Sequence, residues 1–159
     1  MTDTLRSFCE QCTHLNNPQL DFLSAERQKQ IILRDLGEIV LAASAELQKA
    51  VTLMAGSVIE SVLYSFLREQ EDLIRELRGE FQFPPRLDLQ DCVNIFNRWL
   101  RSLLPTVDIP DSVVDYRNLV HIERELNSPP DVYARASRDM LRILNDLLGE
   151  LSRFAHPQP

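Results

Sequence analysis

Apolar residues recur along this chain at steps of three and four, the spacing of one face of an α-helix. The longest such run covers residues 45–78. There Leu47, Val51, Met54, Val58, Val62 and Phe66 follow one another at intervals of four, three, four, four and four. Shorter versions of the pattern flank it. Residues 2–15 align Leu5, Phe8, Cys9, Cys12 and Leu15 and stop at Asn16-Asn17-Pro18. Residues 19–43 align Leu23, Ile31, Leu33, Leu36, Ile39, Val40 and Ala43, with Gly37 as a weak point in the middle. After a break at Pro84-Pro85, a helix over 89–104 is predicted behind an Asp88 cap, burying Leu89, Val93, Phe96, Leu100 and Leu103. The next helix starts from Asp111 or Ser112 as cap and runs to about 126, before Asn127-Ser128-Pro129-Pro130. The last, over 132–154 behind Asp131, aligns Val132, Ala136, Met140, Ile143, Leu147 and Leu151.

Strand-like alternation is scarce, and the loops are mostly short. The expected fold is therefore all-α: one domain over 1–159, an antiparallel up-and-down bundle of four or five helices with the 45–78 helix at its centre. Residues 1–18 are expected to form an N-terminal extension, and His156 to Pro159 a frayed tail. A chain of 159 residues suits one substantial core. No uninterrupted apolar run reaches the ~18 residues of a membrane span, and Met1 to Thr4 lack the basic and apolar regions of a signal peptide. A cytoplasmic protein is expected, with no membrane partner.

Charge narrows the partners. The net charge of −7 excludes bulk attraction to nucleic acid, so any RNA contact has to use a local basic patch. The basic residues are 15 Arg and 2 Lys, and Arg is the better bidentate partner of phosphate, although biased composition gives the same ratio. Cys9-x-x-Cys12-x-His14 resembles half of a zinc site. Only Cys92, His121 and His156 remain as further soft ligands and no second paired motif exists, so buried thiols, no metal and no cofactor are expected. No Gly-rich phosphate loop and no Ser/His/Asp order is present.

The residues with the most chemistry are Tyr116-Arg117-Asn118-Leu119-Val120-His121. On a helix, Arg117 and His121 would share a face, about 40° apart. A guanidinium beside an imidazole makes a candidate phosphate site, one binding charge and the other moving protons. Asn118 can orient a phosphate oxygen or brace the Arg. Glu60 stands inside the apolar, small-residue stretch Ala55-Gly56-Ser57-Val58-Ile59-Glu60-Ser61-Val62-Leu63. Its carboxylate has to reach solvent or find a partner, such as Arg117 or His121. Arg135, Arg138 and Arg142 can form a phosphate track, or simply a solvated face shared with Asp139 and Asp146. Tyr116 and Trp99 can stack on a base or pack in the core. A plainer arrangement is equally open: Arg117 pairs only with Glu60 or Asp115, and His121 is an interfacial imidazole. Asp115, Glu123 and Glu125 oppose RNA binding.

Together and in this order, the Ala55–Leu63 helix, a middle helix, Tyr116–His121 with Glu123-Arg124-Glu125, and an amphipathic last helix resemble the HEPN superfamily (higher eukaryotes and prokaryotes nucleotide-binding domains), over roughly 25–154. The resemblance implies a helical bundle that usually dimerises. In active members it implies a metal-independent endoribonuclease, often a toxin or antiviral effector with a cognate protein partner. On that likeness Arg117, His121, Asn118 and Glu60 form a catalytic site at a dimer interface, and Arg135, Arg138, Arg142 and Tyr116 contact RNA. Active members place four to six residues between Arg and His; here there are three. Some relatives with the short spacing have Pro after the His, where this chain has Ile122. The alternative expectation is a non-catalytic binding module, the antidote or scaffold of a defence pair.

Overall fold

A computed structural model describes residues 4–79, 82–105 and 107–155. Among the described residues every regular element is helical, and nine α-helices occur. In order they are α1 (Leu5–Glu10), α2 (Thr13–Asn16), α3 (Glu26–Ser44), α4 (Gln48–Glu69), α5 (Glu71–Arg78), α6 (Leu89–Ile95), α7 (Ser112–Arg117), α8 (Ile122–Leu126) and α9 (Val132–Ala155). A π-helical turn, Phe96–Leu100, continues α6, and a 3₁₀ turn, Asn118–Val120, joins α7 to α8. The molecule is an all-α helical bundle, as the periodicity predicts.

Helix α4 is the centre of it. Val51, Ala55, Val58, Ile59, Val62, Leu63 and Phe66 are all buried, which takes more than one face of the helix. The surrounding helices are α3, α6, α7 and α9, with α9 and α3 making the broadest contacts. On length and composition alone α4 could cross a bilayer, which corrects the expectation that no segment qualifies. Here its apolar surface is covered by the other helices instead. At one end Phe66 stands edge-on to Phe22 and Phe154, with ring centroids 6.2 and 5.4 Å away. Burying one such side chain contributes roughly 1.5–3 kcal/mol.

Several predicted helices are divided. The 45–78 helix is interrupted at Gln70, and the 2–15 helix at Gln11 and Cys12. The 19–43 helix starts only at Glu26, because Leu20, Phe22 and Leu23 reach the core from a non-helical loop. The predicted 89–104 helix widens to a π turn, in which the Arg101 amide bonds the Phe96 carbonyl at 3.2 Å. Helices α1 and α2 pack on α3 and α9, burying Leu5, Cys9, Cys12 and Leu15. Glu46, at φ 57° between α3 and α4, turns its carboxylate to the Leu5 and Arg6 amides, both at 3.0 Å. Asp88 caps α6 as expected, in a reciprocal box with Asp91. Asp111 makes no side-chain cap bond to α7. The His156–Pro159 tail and residues 1–3 lie outside the described residues.

Two contacts place α7 on the bundle. Asn97 Nδ2 donates to the Ile109 carbonyl at 2.8 Å, and Val107 and Ile109 are buried, so the approach to α7 is pinned. Helix α7 then lies on α4 at Gly56. A Cβ there would stand 3.0 Å from the Arg117 Cβ and Cγ and 3.1 Å from the Met140 Cε. At Gly37 nothing lies within 4 Å. Gly37→Ala is therefore expected to stabilise the fold by about 0.5–1 kcal/mol through helix propensity. Gly56→Val is expected to destabilise it by about 1–3 kcal/mol through overpacking. Urea denaturation of both variants checks the contrast, and equal shifts of one sign would refute it.

Candidate functional site

Gly56 and Glu60 are one turn apart on α4, on the same face. Arg117 ends α7, and its aliphatic stem crosses Gly56. Its Nε then donates to Glu60 Oε2 at 3.2 Å. The two side chains are 34% and 30% exposed, so the pair is half-desolvated. The carboxylate required to find a partner inside an apolar helix has found Arg117, 57 residues along the chain.

The shared helical face of Arg117 and His121 is not formed. Helix α7 stops at Arg117, and His121 has φ −83° and ψ 120°, an extended conformation, before α8 begins. The causes lie in the residues just before it. Leu119 is buried at 4% exposure, and its carbonyl accepts from the Tyr133 hydroxyl at 3.3 Å. That carbonyl would otherwise serve the residue-123 amide of a continuous helix. The His121 amide bonds the Asn118 carbonyl at 3.0 Å, closing a 3₁₀ turn.

His121 itself is exposed, and its imidazole has no hydrogen-bond partner among the described residues. It lines an open cleft of about 660 Å³ with Ile122, Glu123, Arg124 and Asn127. Arg117 and Glu60 are not in that lining. Asn118, half-buried, starts the turn between them. Val120, Ile122 and Leu126 stand out around His121 at 52%, 70% and 77% exposure. Helix α8 is held through Glu125, which accepts from Lys49 Nζ at 2.7 Å, and Lys49 lies 5.5 Å over the Tyr133 ring.

The arginines of α9 do not form one track. Tyr116 Oη donates to Asp139 Oδ2 at 3.2 Å, Arg142 Nη2 lies 3.2 Å from Oδ1, and Arg135 Nε lies 3.7 Å from Oδ2. Asp139 thus takes up two of the three arginines and the tyrosine. Arg138 stands 5.6 Å over the Phe8 ring, toward α1. Burial, then the Asp139 carboxylate, pushes the Tyr116 phenol pKa up. Trp99 is packed against the core with Arg98 stacked on its ring at 4.4 Å, so base stacking by Tyr116 or Trp99 needs side-chain rearrangement.

The three cysteines are buried free thiols. Burial raises Cys12 to about 11 and Cys92 to about 12, well away from thiolate chemistry at neutral pH. His14 packs on Gly149, where a Cβ would meet its imidazole at 2.6 Å. Among the described residues no three His, Cys, Asp or Glu side chains are grouped to hold a metal ion, and His156 lies outside them.

Two residues named in the sequence without a site role stand out in the structure. Arg124 shares the His121 cleft and has no ion-pair partner among the described residues. Asp139 gathers charge, and its spacing to Arg135 and Arg142, four and three residues, could have revealed it. No family model, curated protein or solved structure matches the chain.

Replacing Asp139 tests the charge arrangement. A raised phenol pKa means that the Tyr116 contribution to stability is present below the ordinary tyrosine pKa and fades as pH rises through the folded value. Asp139→Asn is expected to bring the phenol back toward its ordinary value, read as an earlier phenolate absorbance transition on raising pH. An unchanged transition would show that Asp139 is not a cause.

Proposed function

We propose that this chain is a HEPN-like, metal-independent endoribonuclease of the toxin or defence type, whose site is completed between two copies. The observation that carries the reading is the break at residue 121. It leaves an unpartnered imidazole in solvent, four residues from a guanidinium anchored on Glu60, amid an exposed apolar strip. Such a strip is the kind of surface a partner covers. In a two-fold pair the Glu123 and Arg124 beside it can meet each other's counterparts.

In this reading the ribose 2′-hydroxyl attacks phosphorus, and the bond from phosphorus to the 5′ oxygen breaks. One His121 takes the 2′-hydroxyl proton and the second copy's His121 returns a proton to the leaving oxygen. Arg117, positioned by Glu60, and Asn118 steady the non-bridging oxygens. The products are a 2′,3′-cyclic phosphate and a 5′-hydroxyl. One specific observation favours the non-catalytic alternative, a binding module that docks a protein partner on the same strip: Asp139 is shared by Arg135 and Arg142, which weakens that face of α9 as a track for an RNA backbone.

The test incubates wild type, His121→Ala, Arg117→Ala and Leu126→Glu with structured and single-stranded RNA in EDTA. Losing His121 is expected to slow cleavage by about 10²–10⁴-fold. Losing Arg117 is expected to cost a similar order, about 10²–10³-fold. Leu126→Glu is expected to give an 18.4 kDa species by light scattering and to lose activity with the dimer. Cleavage by His121→Ala at the wild-type rate overturns the proposal. A wild type that cleaves no RNA, yet captures a protein partner that Leu126→Glu does not, establishes the binding module.

A further inference from the structure

Glu60 belongs to two places. While Oε2 accepts from Arg117, the same side chain lines a cleft of about 330 Å³ between α3 and α4. Ile31, Ile32, Tyr64 and Leu87 form its apolar walls, and Ser65 adds a buried hydroxyl. Ile31 and Tyr64 are 40% and 39% exposed, so the mouth is open to solvent. The remaining lining residues, Gln28 and Ser61, are uncharged, which leaves Glu60 as the only formal charge among the described residues lining the cleft. Arg68, beside Tyr64, is engaged elsewhere: it stands 5.5 Å over that ring and 5.4 Å over Phe83, and lies 3.8 Å from Glu71.

Apolar walls around a single charged group are the composition of a small-ligand site. A carboxylate has about four acceptor positions, and the Arg117 Nε occupies one. We propose that this cleft binds a small organic cation, with a guanidinium or ammonium head on Glu60 and a short aliphatic chain against Ile31, Ile32 and Leu87. Charge complementarity selects the head, and the apolar walls receive the chain. Because ligand and Arg117 share one carboxylate, filling the cleft is felt at the α7 end. The site does not depend on RNA cleavage.

Butylguanidinium is the probe, with 1-pentanol and pentanoate as neutral and anionic chains of similar length. Saturable NMR shifts are expected at the Ile32 and Ser65 amides and at the Arg117 Nε–H with the cation only. Glu60→Gln, checked for folding by circular dichroism, is expected to weaken binding by about 10-fold or more, the worth of one charge-assisted hydrogen bond. Ile31→Trp leaves Glu60 intact and is expected to abolish binding by filling the mouth, which decides the matter even if Glu60→Gln fails to fold. Equal responses to all three chains, retained binding in Ile31→Trp, or no shift at Arg117 would each overturn the proposal.

Discussion

The contact of Arg117 with Gly56 and Glu60 sets the geometry of this end of the molecule. A guanidinium stem can lie against an α-helix at this distance only where the helix has no side chain, and Gly56 supplies that gap. One turn later Glu60 supplies the charge. Each half needs the other: without Gly56 the stem is held off the helix, and without Arg117 a half-buried carboxylate is left unpaired. Met140 of α9 closes on the same glycine, so three helices meet at one missing side chain. A small residue placed one turn from an acid is thus a packing device and an electrostatic one at once.

Charge is handled in the same local way elsewhere. Asp139 holds Tyr116, Arg135 and Arg142, Glu125 holds Lys49, and Glu46 holds two backbone amides of α1. These acids of a net-negative chain fix their neighbours and are not spread as a repulsive field. The consequence for nucleic acid is specific. A phosphate approaching Arg135 or Arg142 on α9 finds the two sharing Asp139, whereas one approaching the His121 cleft finds Arg124 beside Glu123.

The long helices were legible because their signal is long. Val51, Val58, Val62 and Phe66, in register and buried, define α4, and the stripe from Ala136 to Leu151 defines α9. The Asp88 cap was legible because a capping box is complete within four residues. Interruptions were not. Gln70 and Gln11 are ordinary helix residues, and the bends there answer to packing beyond the local sequence. Leu20, Phe22 and Leu23 carry the composition of a helix face but reach the core from a loop. The site divides the same way. That Glu60 needs a partner follows from its apolar setting, and Arg117 was among the candidates. The end of the helix at Arg117 depends on the Tyr133 hydroxyl and on burial of Leu119, neither of which the Arg-Asn-Leu-Val-His string contains.

Helix α8 shows why that break matters. At five residues it is far too short to persist alone. It is held by Glu125 on Lys49 and by its own C-terminal bonds, Asn127 Nδ2 to the Glu123 carbonyl at 2.8 Å and Ser128 Oγ to the Arg124 carbonyl at 2.7 Å. All of these anchors leave Ile122 and Leu126, one turn apart, facing away from the bundle. Single exposed hydrophobes are ordinary. Two on a short, braced helix, with Val120 and an unpartnered imidazole beside them, form a patch with a direction. Whatever covers Ile122 and Leu126 also takes water from His121. In the proposed assembly, docking and the burial of His121 are consequently one equilibrium, because His121 is the residue from which the five-residue helix starts.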